Sequence, residues 1–76
     1  MRLKRGKREQ MKQKILEFLK NADGHIASIP MLARAIQVSP PTARSIVFEL
    51  EVERKVSVVM LGGQYMVRLE ELGEGM

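Results

Sequence analysis

From Arg8 to Ala22 the apolar residues fall at Met11, Ile15, Phe18, Leu19 and Ala22, spaced 4, 3, 1 and 3. That spacing is one stripe of an amphipathic helix, with Glu9, Gln10, Lys12, Gln13, Lys14, Glu17 and Lys20 on the other face. Asn21-Ala22-Asp23-Gly24 stops it, because Gly24 can take the left-handed conformation at no steric cost. His25-Ile26-Ala27 reads as an extended stub, with His25 expected to cap the preceding turn. Ser28 is a good N-cap for a short helix over about Ile29 to Ile36, with Pro30 early enough to be tolerated and Leu32, Ala33 and Ile36 facing inward. Ser39 caps a third helix whose first turn holds Pro40 and Pro41 and whose inner stripe is Ala43, Ile46, Val47 and Leu50.

Around Arg54 and Lys55 the period changes from helical to alternating. Val56, Val58 and Met60 alternate with Ser57, Val59 and Leu61; after Gly62-Gly63, Tyr65, Val67 and Leu69 alternate with Gln64, Met66 and Arg68. A Gly-Gly pair between two such runs predicts a two-residue hairpin turn with positive φ. Counting outward from the turn pairs Leu61 with Gln64 and Val56 with Leu69, and places Val56, Val58, Met60, Tyr65, Val67 and Leu69 on the core face.

Length and charge narrow the class. Seventy-six residues make one domain, burying about 60% of the unfolded surface, so a deep two-lobed active site has no room. With no cysteine and one histidine, no metal and no cofactor are expected, and no paired carboxylates, phosphate loop or nucleophile–base pair suggests an enzyme. Neither a signal-peptide pattern nor a membrane-length apolar run is present, so a cytoplasmic location is the expectation. The net charge of +4 divides into +6 over residues 1–20 (eight Lys or Arg, two Glu), 0 over residues 21–55 and −2 over residues 56–76. The division predicts a basic flexible arm at residues 1–7, a folded domain at residues 8–69 and an acidic flexible tail at residues 70–76. A basic arm is a footprint for a polyanion; the competing use is a solvated leader that aids solubility.

The stretch Ile29 to Val59, IPMLARAIQVSPPTARSIVFELEVERKVSVV, carries a more specific signal. Its Leu32-Ala33 pair, Val38-Ser39 cap, Thr42, Arg44, Leu50-Glu51 pair and the alternating Val56 to Val59 resemble the winged helix-turn-helix of bacterial and archaeal transcriptional regulators. The resemblance covers about residues 8–69. It implies an α+β winged helix-turn-helix fold, three helices followed by a C-terminal two-stranded β-hairpin wing. It also implies a sequence-specific double-stranded DNA-binding protein that inserts its third helix in the major groove. The outward face of that helix holds Pro41, Arg44, Ser45, Phe48 and Val52.

By that resemblance Ser39 and Thr42 would bond phosphates, Pro40 and Pro41 would offer apolar contact, and Arg44 with Ser45 would reach base edges. Arg44 could instead pair with Glu51 in solvent, and Ser39 is a helix cap in either case. Arg2, Lys4, Arg5, Lys7 and Arg8 would supply nonspecific affinity, and Arg68 and the Gly62-Gly63 tip would approach the backbone, although the tip is also simply a turn. Gln37 stands where this family most often has glycine, which requires a non-glycine residue in a conformation that costs about 1 kcal/mol. Glu49, Glu51 and Glu53 leave the third helix without net positive charge.

Leu16, Phe48, Val52, Val59, Leu61 and Met66 lie off the expected core and together predict a partner surface. A homodimer is the expected use, since two-fold DNA sites are read by two-fold proteins, and no small-molecule effector is expected in so short a chain. A winged-helix protein-interaction module, or a subunit of a nucleic-acid-processing assembly, is the alternative these residues leave open.

Overall fold

The structure, a computed structural model, describes residues 5–70. The elements are α1 (Arg5–Asn21), a 3₁₀ turn (Asp23–His25), β1 (Ile26–Ser28), α2 (Ile29–Ile36), α3 (Pro40–Val52), β2 (Val56–Leu61) and β3 (Gln64–Leu69). The class is α+β, three helices and an antiparallel sheet, and the sheet corrects one expectation. It has three strands rather than two, in the order β1-β3-β2. The stub after α1 pairs with β3 through Ile26 opposite Arg68, Ala27 opposite Val67 and Ser28 opposite Met66, which makes β3 the central strand.

Helix α1 starts at Arg5, three residues before the expected start of the folded domain at residue 8, so Arg5 to Lys7 are helical. Arg2, Lys4 and the tail beyond Glu70 lie outside the described residues. Helix α2 is capped as its sequence predicts, with Met31 N–H donating to Ser28 Oγ at 3.3 Å. It ends at Gln37 in the left-handed conformation, φ +62°. There Gln37 N–H donates to Arg34 O and Val38 N–H to Ala33 O, which satisfies two of the last-turn carbonyls. Helix α3 ends in the same way without glycine: Arg54 takes φ +63°, and Arg54 and Lys55 N–H donate to Glu51 and Leu50 carbonyls. After α1 the His25 ring donates from Nδ1 to Leu19 O at 3.2 Å, the capping role expected of it.

All three helices press one face onto the sheet. Ile15 and Leu19 of α1, Leu32 and Ala33 of α2, and Ala43, Ile46, Val47 and Leu50 of α3 are buried together with Ala27, Val56 and Val67 of the sheet. Each fully buried aliphatic side chain contributes about 1.5–3 kcal/mol, so an aliphatic core of this size can stabilise a small domain without disulfides. Ala33 of α2 and Ala43 of α3 are both buried, and the two helices pack on each other. Leu16, expected at a partner surface, is half-buried and packs against this core instead.

The hairpin register matches the one counted from the Gly-Gly turn, pair for pair from Leu61–Gln64 to Val56–Leu69. Both turn glycines have positive φ, +59° and +81°. The core face of the hairpin, however, is buried only at its base. Val56 and Val67 are buried and Val58 is half-buried, whereas Met60 and Tyr65, nearer the turn, are 57% and 39% exposed.

Candidate functional site

Helix α3 carries most of the expected site residues on its first two turns, and all of them are exposed: Pro40, Pro41, Thr42, Arg44 and Ser45, with Ser39 at the cap. The cap is closed locally. Ser39 Oγ accepts from Thr42 N–H at 3.4 Å and donates to Thr42 Oγ1 at 3.0 Å, so Ser39 is occupied while the Thr42 hydroxyl proton still points to no partner among the described residues. The two prolines fill the positions whose N–H groups would otherwise be free, which leaves few amides at this helix end to hold an anion.

Arg44 does not pair with Glu51. Its guanidinium carbon lies over the Tyr65 ring, 5.6 Å from the centroid, and among the described residues no carboxylate is in ion-pair contact with it. Arg44 and Tyr65 border an open groove of about 390 Å³, walled by Pro30, Pro40 and Pro41 on the helix side and by Gly63 and Gln64 on the hairpin side. Tyr65 is the residue that the sequence reading missed, having been assigned to the core. The signal was present in the register: Tyr65 lies in the second pair from the turn and two pairs beyond the buried Val67 row, towards the open end of the hairpin.

A different arrangement holds the other end of α3. Arg8, expected at DNA, donates from Nε to Glu49 Oε2 at 2.9 Å and from Nη2 to Ser45 Oγ at 3.1 Å. Arg8 and Ser45 therefore engage each other rather than standing free for a ligand. Lys12, assigned to the solvent face of α1, is only 6% exposed. Its Nζ lies 2.6 Å from Glu53, 3.2 Å from Glu49 and 3.5 Å from Glu9. A buried ammonium is stable only when paired, and the three carboxylates supply that pairing.

The protonation equilibria follow the contacts. Hydrogen bonding to Glu53, then to Glu49, raises the Lys12 ammonium above its ordinary range against the opposing effect of burial. The hydrogen bond to Glu49 likewise raises the Arg8 guanidinium. Glu49 is lowered in return, first by Arg8 and then by Lys12. Glu49 of α3 and Glu53 at its C-cap are thus compensated from α1, and Glu51 is not.

The remaining expected residues are dispersed. Lys7 is exposed on α1, and Gly62 and Gly63 form the exposed hairpin tip. Arg68 is exposed, but strand alternation puts it on the sheet face opposite Tyr65, so it does not join the Arg44 groove. Phe48 and Val52 are 40% and 81% exposed and continue the Arg44 face along α3. Leu61 is exposed at the tip, and Val59 and Met66 are half-buried on the far face of the sheet. Among the described residues no group of His, Asp and Glu is arranged to hold a metal, and no helix is long and apolar enough to cross a membrane.

The chain is similar to the solution NMR structure of protein BT2368 from Bacteroides thetaiotaomicron, with 28% identity, a TM-score of 0.73, and coverage of 91% of this chain and 82% of that one. No protein-family model matches the chain, and no curated protein matches it.

Proposed function

We propose that the chain is a winged helix-turn-helix module that binds double-stranded DNA, presenting the first two turns of α3 to the major groove with the β2–β3 hairpin as its wing. The observation that carries this reading is the charge distribution on α3. Arg44 stands on the exposed N-terminal half with no carboxylate paired to it among the described residues, while Glu49 and Glu53 are held by Arg8 and Lys12 at the other end. A helix that counts as acidic along its sequence therefore offers a cation at the end a groove would receive. Lys7, with Arg2, Lys4 and Arg5 nearby in sequence, supplies the nonspecific attraction to phosphate, and Arg44 the base contact.

Binding to random duplex DNA at about 50 mM and about 200 mM salt tests it. Affinity is expected to fall with salt; undetectable binding at the lower concentration, or no salt slope, overturns the reading. Replacing Arg2, Lys4 and Arg5 by Ala is expected to weaken all duplexes alike and lower the slope, whereas Arg44→Ala flattens preference between sequences by about 1–3 kcal/mol at one position.

Exposed Phe48 and Val52 favour a homodimer as the binding form, which suits a small transcriptional regulator. Sedimentation showing only a monomer at micromolar concentration counts against the dimer. If duplex binding is also absent, the same two residues support the alternative of a protein-interaction module.

A further inference from the structure

We propose that Tyr65 is a positioning residue for Arg44, so that the hairpin contributes to recognition by aiming the reading arginine and not by contacting phosphate. This rests on the DNA-binding reading above and deepens it. The hairpin is poorly equipped to hold a phosphate: its tip is Gly62-Gly63, and its one arginine, Arg68, is exposed on the opposite face of the sheet. What the hairpin does bring to α3 is an aromatic ring, with the Arg44 guanidinium 5.6 Å from its centroid, inside the roughly 6 Å range of a cation–π contact.

The chemistry of the pair suits a reader. A guanidinium over a ring keeps its N–H edges at the rim, where a planar acceptor such as the guanine edge can take two of them, and a lysine in the same place could not do this. Free arginine has large rotamer freedom, and freedom already lost to the ring is not lost again on binding. Tyr65 itself is well fixed. It pairs with Met60 next to a turn closed by two positive-φ glycines, and it follows the buried Val67 on the same face of the central strand. Pro40 and Pro41, one turn before Arg44 on α3, line the same groove across from the hairpin residues Gly63 and Gln64.

The test selects preferred duplexes from a random library with the wild-type chain, then measures preference at the position that Arg44→Ala flattens. Tyr65→Leu is expected to reduce that preference about fivefold with the salt slope unchanged, and Tyr65→Phe to restore it, because the ring and not the hydroxyl is used. Arg44→Lys, which leaves the hairpin untouched, is expected to lose the preference while retaining nonspecific affinity. In the free protein, the Arg44 Nε–H resonance should carry a ring-current shift that survives in Tyr65→Phe and vanishes in Tyr65→Leu. If Arg44→Ala flattens a position and Tyr65→Leu does not, positioning by Tyr65 is overturned while DNA reading stands. Absence of the ring-current shift overturns it equally. If the wild-type chain selects no duplex, the DNA reading falls and the role of Tyr65 falls with it.

Discussion

The two halves of α3 differ in what meets their outer surface. The C-terminal half faces α1, where Arg8 and Lys12 reach across to Glu49 and Glu53, and its inner face ends on the fully buried Leu50. The N-terminal half presents Pro40, Pro41, Thr42 and Arg44 outward, with its cation on the Tyr65 ring, while Ser45 meets Arg8 and Ala43 and Ile46 face the core. A helix can thus be fastened at one end by core packing and ion pairs while the other end keeps its polar groups available. Net charge along the helix says nothing of this division, because the compensating cations come from residues 41 positions away in sequence.

The strongest way to break the contrast is to remove the anchor. Leu50→Ala deletes a fully buried side chain at the junction of α3 with the core and is expected to cost about 2–5 kcal/mol, read as a lower midpoint in urea unfolding. A loss below about 1 kcal/mol would mean that the ion pairs, and not the core, hold the C-terminal half. At the opposite end, Ser39→Ala removes the oxygen that satisfies the Thr42 amide and is expected to cost about 1 kcal/mol in the same measurement. That smaller figure reflects the loss of one capping hydrogen bond rather than of a fully buried side chain.

Much of the contrast was legible in the sequence, and the parts that were not share a cause. Helix stripes, both serine caps, the left-handed Gln37 and the full hairpin register follow from local periodicity and turn chemistry, which the chain carries within a few residues. The third strand did not show itself, because Ile26–Ser28 is too short to display a period and its pairing with β3 spans about forty residues. Lys12 looked like a solvent-facing lysine because its helix stripe is set by its own neighbours, while its burial is set by Glu49 and Glu53. Arg54 looked like an ordinary charged residue at a change of period, although it adopts the left-handed conformation that ends α3. For the candidate site, alternation assigned Tyr65 its face but could not give how far full burial extends towards the hairpin tip, where Tyr65 stays part-exposed beside Arg44.

The ion pairs sharpen the comparison through pH. Arg8 and Lys12 hold the Glu49 carboxyl below its usual value near 4.5. A carboxyl depressed in the folded state adds stability that is fully present above the unfolded value and is lost as pH falls through the folded one. Glu49→Gln is therefore expected to be less stable than wild type by about 0.5 kcal/mol at neutral pH, a modest figure because the pair is partly solvated. The gap should close as pH drops below about 4.5, followed by urea unfolding across that range. A gap that persists unchanged in acid would show that Glu49 acts through packing and not through its charge.

The smallest expected effect is on the open half. Arg44→Ala removes an exposed side chain whose one described partner is the Tyr65 ring, and such contacts at exposed sites contribute little to folding. Unfolding midpoints should move by no more than about 0.5 kcal/mol, at neutral pH and in acid alike, since no carboxylate is paired with this arginine among the described residues. That near-silence is what separates a residue kept available for a ligand from a strut. If Arg44→Ala instead destabilises the fold as much as Ser39→Ala does, the arginine fastens the hairpin to α3, the contrast between the two halves dissolves, and Arg44 becomes a second clasp, made on a ring, beside the ionic one that Arg8 and Lys12 make at the other end.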